Sequence, residues 1–111
     1  MNFKNSLPEF YEEVRSLLLK AGRNDLAGQL KDLAIVYRCP CTDFGCASFK
    51  VSGSGLPDAF EEAGPKRSTF TPTFNLNAER GRITIITDQL GRINAFEVLR
   101  RPDVRRKLMR L

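Results

Sequence analysis

The stretch "RITIITDQLGRINAFEVL", residues 82 to 99, constrains the fold more than any other part of the chain. Two β-rich apolar runs flank a short polar break, the signature of an antiparallel hairpin. Asp88 and Gly91 stand at the first and last positions of a type I turn, with Gly91 free to take a positive φ as a bulge. A second hairpin is spelled by "AIVYRC" and "CASFKV", residues 34 to 39 and 46 to 51. Its simplest register joins Cys41 to Cys46 across the loop from Thr42 to Gly45, with Asp43 and Gly45 as turn residues, and sets Cys39 opposite Ser48. Period-two alternation then puts Ile35, Tyr37, Cys39 and Cys41 on one face with Cys46, Ser48 and Lys50. Val36 shares the other face with Ala47, Phe49 and Val51. A further strand runs through "TPTFNL", residues 71 to 76.

Helices precede and follow these strands. "SLPE" at residues 6 to 9 has the form of a capping box, in which Ser6 accepts the amide of Glu9 and Glu9 reaches back to the amide of Ser6. Phe10, Val14, Leu17, Leu18 and Ala21 make one apolar stripe at helical spacing, so a helix is expected from Leu7 to Ala21, ended by Gly22 in a left-handed cap. Asn24 or Asp25 is placed to cap a second, short helix through Leu26, Leu30 and Leu33. At the far end Pro102 sits where a first helical turn tolerates a missing amide, and Val104, Leu108 and Leu111 form the stripe of a closing helix. The expected class is α+β: two N-terminal helices, about five mostly antiparallel strands in one sheet, and a basic C-terminal helix, with helices covering one face. A length of 111 residues suits a single domain spanning 1–111. Residues 52 to 70, rich in Gly, Ser, Pro and charge, read as a long loop within it.

The chain has three cysteines, all in "RCPCTDFGC", and no histidine. Three readings of Cys39, Cys41 and Cys46 compete. They are small packing residues in a tight hairpin; or they are thiolate ligands of a metal such as zinc, completed by Asp43, another loop acid or a second chain; or Cys41 and Cys46 are a redox pair. Packing leads, because structural zinc takes four ligands, commonly as two CxxC-like pairs, and the CxxC redox motif is absent too. Catalysis has little to stand on: without histidine the commonest general base is missing, and "GSG" at residues 53 to 55 does not fit a phosphate loop. Glu61 and Glu62 read as solvated loop charges. Glu97, inside a strand, is expected to face water or to pair with a base such as Arg82 or Arg92. No cofactor is implied, zinc being the one alternative.

The net charge of +5 is lopsided. Residues 1 to 60 carry seven bases and seven acids, whereas residues 61 to 111 carry eleven bases and six acids. Arg100, Arg101, Arg105, Arg106, Lys107 and Arg110 face a single acid, Asp103, in the closing helix. These six are the candidate partner-binding residues. A basic helix suits phosphates, but no aromatic residue lies in the tail for a base to stack on. A solvated helix face, or steering of an acidic protein partner, is therefore favoured over nucleic acid.

"RCPCTDFGCASF" together with "GRITIITDQLGRINAFEVLRRPDVRRKL" resembles small bacterial proteins of no assigned activity that share a C-x-C-x4-C hairpin and a terminal GRI…EVL strand. The resemblance covers roughly residues 26 to 50 and 81 to 108 and implies a bacterial, cytoplasmic protein without supplying catalytic residues. No apolar run reaches the roughly 18 to 20 residues of a membrane span, and the N-terminus lacks a signal-peptide layout. The expected function is that of a non-enzymatic module that binds another protein through the 52 to 70 loop, the cysteine hairpin and the basic helix.

Overall fold

The computed structural model describes residues 2–40, 42, 45–52, 73–88 and 90–111. The long loop read at residues 52 to 70, apart from Ser52, lies outside the described residues, as do Cys41, Asp43, Glu61 and Glu62. The chain is α+β. In order come helices α1 (Phe3–Ser6), α2 (Pro8–Lys20) and α3 (Asn24–Ala27), a 3₁₀ turn (Leu30–Asp32), strands β1 (Ala34–Arg38), β2 (Phe49–Ser52), β3 (Thr73–Leu76), β4 (Arg82–Thr87) and β5 (Ile93–Leu99), and helix α4 (Pro102–Leu108). The strands form one sheet in the order β1-β2-β5-β4-β3, every pair antiparallel. Among the described residues no helix is long and apolar enough to cross a membrane.

Several local expectations hold because they depend on neighbours in sequence. The β4–β5 turn closes through Asp88: its carbonyl accepts from Gly91 N–H at 3.1 Å, its side chain accepts from the amides of Leu90 and Arg92, and Gly91 adopts φ +83°. Helix α2 ends in a Schellman motif. Gly22 takes φ +75°, its amide donates to Leu19 O, and the Arg23 amide donates to Leu18 O. Pro102 occupies the first turn of α4, and Val104 and Leu108 point into the core.

Other expectations are corrected. The capping box at Ser6 does not form, since Ser6 is the last residue of α1 and the cap of α2 is Leu7, with φ −132° and ψ 63°. Pro8 is the cause: its ring disfavours helical backbone at the residue before it, so the chain breaks at Leu7, between two helices. The additional helix α1 is capped by Asn2, whose side-chain oxygen accepts from Asn5 N–H at 3.0 Å. The second helix is also shorter than its leucine spacing suggests. It stops at Ala27, and Leu30 and Leu33 are buried from a 3₁₀ turn and the residue that caps it.

The face assignment in β1 changes as well. Ile35 pairs with Val51 and Tyr37 with Lys50, so a bulge at Val36 gives β1 one residue more than β2. Ile35 therefore lies on the core face with Val51 and Phe49, not with Tyr37, and Val36 is left 50% exposed. A similar irregularity in β5 pairs Thr87 with Ile93 and Ile86 with Ala95, which turns Ile93 into the core.

One core lies between the sheet and the helices, and all four helices contribute to it. Its centre is Phe3, fully buried, with ring centroids of Phe96, Phe49 and Tyr11 at 5.2, 5.5 and 5.5 Å and Phe10 at 6.2 Å. The Phe3 amide donates to Leu33 O at 2.9 Å, and Asn2 bridges Ala34, so the first residues of the chain are tied to the start of β1. An aromatic ring buried among four others contributes both area and edge-to-face contacts. Phe3→Ala is expected to lower stability by about 3–5 kcal/mol in chemical denaturation, a loss out of proportion for a residue so near the N-terminus.

Candidate functional site

The cysteine hairpin is anchored by its neighbours. Cys39 N–H donates to Ser48 O at 3.0 Å, which sets these two residues opposite each other as the register predicts. The Ser48 hydroxyl oxygen accepts from Val98 N–H at 3.0 Å, and the Cys46 thiol lies 3.6 Å from that oxygen. On the returning arm, Gly45 O accepts from Arg101 N–H and Cys46 O accepts from the Arg105 guanidinium, both at 2.8 Å. Cys46 is buried and Cys39 half-buried. The hairpin is thus largely covered at Cys46. Cys41 lies outside the described residues, and among the described ones no group of three or more Cys, Asp or Glu gathers to hold a metal.

The basic C-terminal segment divides into three environments. Arg101 is interior, 2% exposed. Its guanidinium makes a fork with both oxygens of Glu13 at 2.7 and 2.8 Å and a second fork with Asp103 at 3.0 and 3.1 Å, above the ring of Phe10. Glu13 first and Asp103 second raise the Arg101 pKa further, and Arg101 in turn holds the Asp103 carboxyl down at about 2. Arg105 is half-buried against Cys46 O. Lys107 is exposed and pairs with Glu9. The remaining three, Arg100, Arg106 and Arg110, are exposed. Arg106 lies in the last turn of α4 and Arg110 two residues past its end. Arg100 adopts φ 59°, a left-handed backbone that turns the chain inward to Arg101. Close by, Gly81 has φ +68°, and a Cβ on it would lie 2.4 Å from Leu99 O and 2.8 Å from Arg101 Cγ, so only glycine lets the buried arginine pass.

Sequence reasoning singled out no groove on the sheet. On the face away from the helices, Tyr37, Lys50, Ala95 and Ile86 form one row across β1, β2, β5 and β4. Together with Cys39, Pro40, Cys46, Ser48, Glu97 and Leu99 they line a groove of about 360 Å³. The walls are mainly apolar. Tyr37 is 48% exposed at its rim, and the Lys50 ammonium sits 5.0 Å from the Tyr37 ring centroid. Glu97 is exposed on this face, opposite Thr84, so it takes the first of its two expected roles and faces water. A pattern signal for the groove existed in the alternation of Lys50, Ala95 and Glu97 with core residues. The bulge at Val36, which no alternation rule anticipates, decided that Tyr37 would join them.

No family model matches the chain, nor does any curated protein or solved structure.

The Arg101 node carries a stability prediction with a defined sign. Asp103 has a folded pKa below its ordinary 3.8, so its contribution is complete above about pH 4 and is lost as pH falls towards 2. With this carboxylate about a third exposed, solvent screening leaves on the order of 1 kcal/mol. Urea titrations at pH 5 and pH 2.5 should show that loss in the wild type and not in Asp103→Asn. Arg101→Ala should cost roughly 1–3 kcal/mol at neutral pH, because it removes a buried guanidinium from two carboxylates that are each about a third exposed.

Proposed function

We propose that the protein is a non-catalytic interaction module that binds protein through the face of its sheet away from the described helices. The observation that carries this reading is the groove itself: an apolar floor centred on Ala95 and Ile86, a half-exposed tyrosine at the rim, and one base and one acid beside it. Interface cores favour that composition, with aromatic anchors over a desolvated patch and charge kept to the edge. The exposed arginines Arg106, on α4, and Arg110, just past its end, supply a positive field that accelerates approach of an acidic partner without forming the docking surface. Zinc held by Cys39 and Cys46 with Cys41, and nucleic acid held by the basic helix, are the rival readings.

Three measurements on the full chain separate these. Capture from a cell extract, read by quantitative mass spectrometry, should retain a protein at moderate salt that Tyr37→Ala loses by about tenfold, while the double variant Arg106→Glu/Arg110→Glu retains it. Metal analysis of protein purified without chelator should give well under one zinc per chain. About one zinc per chain, lost in Cys39→Ser, would replace the proposal with the thiolate site. A mixed-sequence oligonucleotide should bind weakly or not at all, and tight binding that falls steeply as salt rises and is lost in Arg106→Glu/Arg110→Glu would favour nucleic acid.

A further inference from the structure

We infer that the occupant of this groove, on the sheet face away from the described helices, is a second copy of this chain, packed sheet to sheet about a two-fold axis that runs along the strands between β2 and β5. The inference rests on the reading of this face as an interaction surface and names its partner. An isologous interface requires a patch that complements itself, so that residue i meets j and j meets i. The row Tyr37, Lys50, Ala95, Ile86 has that property. Rotation about the stated axis lays β2 over the partner's β5 and β1 over the partner's β4. The aliphatic stem of Lys50 then covers the small Ala95 of the other chain, and the Tyr37 ring covers its Ile86. Large residues meet small or flat ones in both halves, and nothing on the row meets its own kind.

Charge points the same way. Glu97 stands two residues beyond Ala95 on the same face of β5, one pleat from where the facing Lys50 arrives. A pleat spans about 7 Å along the strand, within the combined reach of a lysine and a glutamate. Among the described residues the groove of each copy thus carries one base and one acid, and two Lys50–Glu97 pairs form across the axis. A strongly basic or acidic partner would leave one of these charges facing its like, whereas a second copy leaves neither. Ala95, with no side chain beyond Cβ, lets the two sheets approach to the ordinary spacing of about 10 Å.

The test is analytical ultracentrifugation of the full chain over a hundredfold range of concentration, for the wild type, Lys50→Glu, Glu97→Lys and the double variant. The wild type should shift from monomer to dimer with concentration. Because symmetry repeats each pair, either single reversal should weaken the dimer by about tenfold or more, and the double reversal should restore it to within about threefold. The double variant also serves as the folding control, with circular dichroism confirming that both single variants keep the fold. A wild type that stays monomeric throughout, a dimer that neither reversal weakens, or a double variant that is not restored would overturn the inference. If the chain is monomeric and Tyr37→Ala still releases a captured protein, the second copy is excluded while the interaction reading stands.

Discussion

A guanidinium removed from water needs its charge and its N–H groups answered in place, and the arrangement around Arg101 follows from that requirement. Two carboxylates answer it from different elements, Glu13 on α2 and Asp103 on α4, while the main chain of Arg101 holds Gly45 at the root of the cysteine hairpin. One residue therefore fixes how two helices sit against the end of the sheet. The left-handed backbone at Arg100 and the glycine at position 81 are local costs accepted for that placement: the first aims the side chain inward, and the second leaves room for its stem. Arg38 adds a lesser tie, its guanidinium donating to the Leu108 carbonyl where α4 exposes the negative end of its dipole.

With one end of the sheet held in this way and the aromatic cluster around Phe3 filling its middle, the described helices lie on one side of it. Among the described residues, the other side carries mainly side chains of the strands themselves. The β1 bulge matters most for function, because it is the step by which Ile35 can pack inward and Tyr37 can stand at the rim of the groove, two residues on but on the opposite face. Structure and proposed function meet at that irregularity. A regular β1 would have sent both residues to one side, either removing an anchor from the core or the aromatic rim from the groove.

The basic segment shows how composition misleads when read without contacts. Six bases in twelve residues suggest a uniform charged surface. In the fold Arg101 is an internal tie and Arg105 a staple on the hairpin, and Lys107 is paired with Glu9, so the outward field comes chiefly from Arg100, Arg106 and Arg110.

What the sequence determined by itself was much of what near neighbours govern: the Asp88 to Gly91 turn, the left-handed cap at Gly22, Pro102 at the head of the last helix, about five mostly antiparallel strands, and the pairing of Cys39 with Ser48. These follow from backbone preferences and hydrogen bonds spanning a few residues, which alternation and turn chemistry record directly. What tertiary structure decided was which residues of those elements meet. Arg101 and Glu13 lie 88 positions apart, and no local pattern marks either as half of a buried pair. The face of Ile35 depended on a bulge that improves packing against Val51, and the failure of Ser6 to cap depended on Pro8 together with the docking of α1 through Phe3. Burial and pairing at long range are properties of the assembled core, so their energies outweighed the local signals in each of these places.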